Sequence, residues 1–77
     1  MAAKSDEWAE RVKRYLKAEL KRADVSYADL AARLTKTGLA ETEGSITVKI
    51  NRGTFPAWFL IASLQAIGCE TVHVGHI

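Results

Sequence analysis

The chain has 77 residues, which makes one domain, and folding removes roughly 60% of its unfolded surface from water. A hydrophobic fraction of 48% excludes a disordered chain, and no run approaches the roughly 18 apolar residues of a membrane span. Eleven Lys and Arg against nine Asp and Glu leave a net charge of +2, which nucleic acid tolerates but which many small domains share. Cys69 is the only cysteine, so no internal disulfide forms, and the charged start Met1-Ala2-Ala3-Lys4-Ser5-Asp6 has no leader-type apolar run. A reducing, cytoplasmic setting is the expectation.

Four helices are predicted, with a core spanning about 6–68 of a single 1–77 domain and a tail at 69–77. The first runs from about Asp6 to Arg22, capped by Ser5, with Asp6 and Glu7 suited to the helix dipole. Trp8, Val12, Tyr15, Leu16 and Leu20 form its apolar stripe, and Glu7–Arg11 and Glu10–Arg14 are i,i+4 pairs. Ala23-Asp24-Val25 breaks the pattern. Ser26 begins a second helix, with Asp29 three residues on as in a capping box, and Tyr27, Leu30, Ala31 and Leu34 on one face. It is expected to end near Thr35, before Gly38.

A third helix over about Glu43–Arg52 has Thr42 as its cap and Gly53 as its stop. Ile46 and Ile50 point inward, joined by Leu39; Gly44, Ser45, Val48, Asn51 and Arg52 point outward, flanked by Thr47 and Lys49. The fourth begins at Thr54-Phe55-Pro56 and stops at Gly68. It has two apolar faces, one of Leu60, Ile61, Leu64 and Ile67, the other of Phe55, Trp58 and Ala62 with Gln65. Such a helix is central in its core or shared with a partner. Thr71-Val72-His73-Val74 has the period of a short strand, which needs another chain or stays an extended tail.

Catalysis and metal binding find little support. Cys69-x3-His73-x2-His76 holds ligand types, but a zinc site takes four ligands and nothing nearby completes the set. No nucleophile–base constellation and no Gly-rich phosphate loop is present, so no enzyme activity, cofactor, metal or small-molecule substrate is expected.

The order is a capped helix, a glycine-containing turn, a short polar helix, a glycine stop and an apolar helix. That is the helix-turn-helix plan. Over Tyr15 to Gly68 the chain resembles the Cro/lambda-repressor-like family. The matching stretches are Ser26-Tyr27-Ala28-Asp29-Leu30-Ala31-Ala32-Arg33-Leu34, with Ala31 at the helix crossing, then Ile50-Asn51-Arg52-Gly53 and Leu64-Gln65-Ala66-Ile67-Gly68. It also resembles a group of uncharacterised bacterial domains that share the tryptophan start and the Arg52-Gly53-Thr54-Phe55 link. The resemblance implies an all-α, four-helix, lambda-repressor-like fold and a small bacterial transcriptional regulator that binds double-stranded DNA as a homodimer.

On that reading Lys36, Ser45, Thr47, Val48, Lys49 and Arg52 meet DNA, with Arg14 and Lys17 on phosphates. Phe55, Trp58, Ala62, Val72 and Val74 form a dimer interface on the fourth helix and tail, away from the third helix. The segment from Leu34 to Ile46 is about five residues longer than the tight turn of a helix-turn-helix. It also places Glu41 and Glu43 where carboxylates repel phosphate. The alternative is a protein-interaction or dimerisation module on the same fold without DNA binding.

Overall fold

The structure, a computed structural model, describes residues 4–77, so residues 1–3 of the expected 1–77 domain lie outside the described residues. The described residues form α1 Lys4–Arg22, α2 Tyr27–Lys36, α3 Glu43–Arg52 and α4 Ala57–Ala66, then a 3₁₀ turn at Val74–His76. The fold is all-α. The α2 helix packs on α3 and α4, and α1 packs on the same two helices, so α3 is held from two sides.

Local chemistry explains most boundaries. The Ser26 hydroxyl accepts from the Asp29 amide at 3.1 Å and opens α2. Thr42 and Ser45 form a reciprocal capping box at α3: each side-chain oxygen accepts the other's backbone N–H, at 3.1 and 2.9 Å. Helices α1, α2 and α4 stop in one way. A residue with positive φ follows, and the next amide reaches back five residues: Val25 to Leu20, Leu39 to Leu34, Cys69 to Leu64. Gly38 and Gly68 supply two of those positions. Asp24 supplies the third, at φ 57°, the non-glycine residue with positive φ among those described.

The centre is built from Leu16 and Leu20 of α1, Leu30, Ala31 and Leu34 of α2, Ile46 and Ile50 of α3, and Phe59 and Leu64 of α4. Each Leu, Ile or Phe buried this fully contributes roughly 1.5–3 kcal/mol. In α3, Ile46 and Ile50 are the buried side chains, as their spacing predicts. In α4 the pattern misleads. Its most buried residues are Phe59 and Ser63, which belong to neither of the two faces read from the sequence, while Ile61 is more than half exposed. A helix this apolar carries almost no directional signal.

Four expectations are corrected. The α1 helix starts at Lys4, so Ser5 lies inside it rather than capping it. Among the described residues Glu7–Arg11 and Glu10–Arg14 do not pair: Glu10 meets Lys13 at 2.9 Å, and Arg11 sits over the Trp8 ring at 4.2 Å. That hydrogen bond and the Lys13 charge hold the Glu10 carboxyl below its ordinary range. Pro56 occupies the cap position of α4, one residue before the helix. Finally, Thr71–Val74 forms no strand. With no ladder partner, the tail folds onto α1: the His73 amide donates to the Tyr15 hydroxyl at 3.1 Å, and Val72 and Ile77 pack on the core.

Candidate nucleic-acid interface

The third helix is fixed at both ends. At its C-terminus Gly53 has φ 69° and lies against α1; a Cβ there would come 2.9 Å from the Ala9 carbonyl oxygen. The Arg52–Phe55 link is therefore a joint in which only glycine fits. Beside it, Lys13 of α1 donates to the Asn51 carbonyl at 3.2 Å, satisfying an open carbonyl of the last turn.

The other end is polar. Glu41 precedes α3, and its side chain is only 4% exposed. One carboxylate oxygen accepts from Lys49 Nζ in a very short ion pair; the other accepts from the Ser45 hydroxyl at 2.7 Å. Burial pushes the Glu41 carboxyl up, but the bonds from Lys49 and Ser45 and the Lys49 charge outweigh it. The group lies below the ordinary glutamate value of 4.5 and stays ionised. Lys49 Nζ also lies 5.2 Å from the Phe59 ring centre and 5.8 Å from that of Trp58. Glu41 and Lys49 thus neutralise each other beneath the outer face of α3.

This arrangement sorts the residues named from sequence. Ser45, Val48, Lys49 and Arg52 share one face of α3 by their i, i+3, i+4, i+7 spacing. Ser45 is committed to the capping box and Glu41, and Lys49 to Glu41. The Thr47 hydroxyl donates to the Glu43 carbonyl at 2.8 Å. Val48 is 51% exposed, and Arg52 and Lys36 are exposed with no salt bridge among the described residues. Lys17 is exposed on α1, one turn from Lys13 and toward α3. Arg14 turns the other way, into a groove between α1 and the tail that Arg11, Arg22 and His76 also line.

The residues assigned to a dimer interface do not form one patch remote from α3. Trp58 is 52% exposed and flanks α3 through Lys49, so it borders the candidate interface itself. Phe55 is half-buried against Phe59 at 5.3 Å, and Ala62 and Val72 are half-buried. Val74, 70% exposed, sits on the 3₁₀ turn. Cys69 gives its thiol to a Glu19 carboxylate oxygen at 3.5 Å. Partial burial, then that hydrogen bond and the negative charge, push the thiol up, so it stays protonated. The His73 and His76 rings stack at 5.2 Å. Among the described residues no His, Cys, Asp and Glu group of three gathers as a metal site, and no helix is long and apolar enough to cross a membrane.

Sequence reasoning missed Glu41 as an internal partner and Trp58 as a neighbour of α3. The signal for Glu41 was present: Glu41, Ser45 and Lys49 recur every four residues, the spacing of one helix face extended into its cap.

The described residues thus form a four-helix domain presenting a short, doubly anchored third helix. The chain belongs to the family described as Domain of unknown function (DUF6471), whose model matches residues 8–72, from Trp8 through the Arg52–Phe55 link to Val72. No curated protein and no solved structure matches it.

Proposed function

We propose that this chain is a small DNA-binding protein, a regulator of transcription that meets duplex DNA with α3 on a plan like that of Cro/lambda-repressor proteins. The observation that carries the reading is the Glu41–Lys49 pair. A free Glu41 beside the start of α3 would repel phosphate; matched by Lys49, its charge is cancelled. Arg52 and Lys36 remain as unpaired cations bordering α3, with Lys17 behind them on α1. Arg52 suits a guanine edge or a phosphate, and Val48 suits a thymine methyl group. Ser45 and Thr47 act in this reading by shaping the helix rather than by reading bases. Two copies on one duplex, spaced by about one helical turn, would follow from this plan.

The test is sedimentation and fluorescence anisotropy with labelled duplexes at rising salt. Binding is expected to weaken steeply, and Lys36→Glu with Arg52→Glu to remove it. Both residues are exposed, and Lys49 is left untouched because reversing it would orphan Glu41. Binding that ignores salt, or that survives the double variant, rejects the proposal. The same sedimentation runs report whether two chains share a duplex.

A second reading has its own observation. Val48 and Trp58, each about half exposed, adjoin a charge-neutral ion pair, a surface that also suits a protein partner. A partner lost by Trp58→Ala and kept by Lys36→Glu with Arg52→Glu favours that reading.

A further inference from the structure

Given the DNA-binding reading proposed for α3, we infer that the helix meets the duplex by its C-terminal half, with the Asn51 amide reading an adenine edge. Gly44, Val48 and Asn51 follow one another at i, i+4 and i+7 on the side of α3 away from the buried Ile46 and Ile50, and all three are exposed. Of the three, Asn51 carries the polar side chain. Its backbone carbonyl is taken by Lys13, but its side-chain amide makes no hydrogen bond among the described residues.

The two halves of α3 differ in charge. The first turn carries Glu43, exposed and paired with neither Lys36 nor any other described cation. The last turn carries exposed Arg52, and Lys13 and Lys17 come alongside it from α1. Phosphates line both edges of the groove, so they hold the acidic end off and draw the cationic end in. The backbone at Asn51 is also fixed before DNA arrives. Ile50 before it is fully buried, Lys13 holds its carbonyl at 3.2 Å, and Gly53 beyond it is closed against Ala9. Only the short Asn51 side chain remains to be ordered on binding. A carboxamide donates to adenine N7 and accepts from the adenine N6 amino group; guanine, with acceptors at both N7 and O6, offers it no donor. Side chains at i and i+3 lie roughly 5–6 Å apart, and base pairs rise about 3.4 Å, so Val48 falls one or two pairs from Asn51. There its methyl groups suit a thymine.

The experiment is a selection from randomised duplexes with the full native chain, followed by fluorescence anisotropy on the selected site. An adenine–thymine pair is expected, whose replacement by guanine–cytosine weakens the native chain about tenfold or more. Placing 7-deazaadenine there removes the N7 acceptor and keeps the pairing edge; it is expected to cost the native chain about fivefold. In Asn51→Ala, an exposed change whose folding is checked by thermal melt, both losses are expected to vanish. Gly44→Ala is the control at the other end of the same face. A Cβ there meets Thr42 Oγ1 at 3.9 Å, an ordinary contact, so the fold accepts it, and the native preference is expected to remain. The inference falls alone if the chain binds duplexes but selects no such pair, or if Asn51→Ala keeps the native penalties. A preference lost in Gly44→Ala and kept in Asn51→Ala overturns it in favour of the N-terminal half. A native chain that binds no duplex rejects the DNA-binding reading itself, and this inference with it.

Discussion

The two ends of α3 are held by different physics. At the C-terminal end Gly53 is pressed against the backbone of Ala9, and nothing but space and a left-handed φ determines the residue. At the N-terminal end Glu41, Thr42, Ser45 and Lys49 share hydrogen bonds and opposite charges. A steric joint tolerates no side chain, yet it is indifferent to pH and salt. A polar joint tolerates modest geometric change and responds to both. The first sets whether α3 is in place; the second sets the charge α3 shows to a ligand.

The largest expected effect is therefore at the steric end. Gly53→Ala forces a Cβ into the Ala9 carbonyl and an L-residue into the left-handed region. It is expected to cost roughly 3 kcal/mol or more. A chemical-denaturation midpoint measures it. A loss below about 1 kcal/mol would mean that α1 and the link separate easily and that the joint is not steric.

Lys49→Ala is expected to cost less, about 1–2 kcal/mol, because Lys49 is a third exposed and water can partly replace it. Its signature is pH. The folded Glu41 carboxyl lies below its unfolded value near 4.5. The pair's contribution is thus complete above that unfolded value and lost as pH falls through the lower folded one. Urea midpoints taken from pH 6 down to pH 3 should fall more steeply in the native chain than in Lys49→Ala. Gly53→Ala should keep the native slope. Parallel curves for native chain and Lys49→Ala would show that Glu41 draws its stability from Ser45 instead.

The same division governs what the sequence made legible. Ser26, Thr42, Gly38, Gly53 and Gly68 act within a few residues of themselves, and each boundary they mark stands close to where its chemistry places it. Ile46 and Ile50 were legible because α3 has polar neighbours to contrast with them. Phe59 and Ser63 were not, since α4 is apolar nearly all round. Asp24 escaped notice because a left-handed stop is expected of glycine. The candidate site was less legible than the fold. Lys49 turned onto Glu41 follows a four-residue spacing that was easy to pass over, while Trp58 beside Lys49 and His73 on Tyr15 are tertiary meetings with no spacing to announce them. The tail failed as a strand for the same reason: its backbone found a phenol 58 residues away rather than a ladder.

The smallest effect lies in α4, the helix whose Phe59 ring lies near Lys49. Ser63 is fully buried, and its hydroxyl has no hydrogen-bond partner among the described residues. A desolvated hydroxyl without a partner costs free energy, whereas the joints at either end of α3 return theirs. Ser63→Ala removes the hydroxyl and leaves a void smaller than a methyl group. It is expected to change stability by about 0 to +1 kcal/mol, in the stabilising direction. With Gly53→Ala and Lys49→Ala measured under the same conditions, the three variants rank steric closure, paired charge and unpaired hydroxyl within one core. A loss of more than about 1 kcal/mol in Ser63→Ala would reverse the ranking at its lower end. It would mean that the hydroxyl is bonded in the folded protein and that α4 carries a polar anchor of its own.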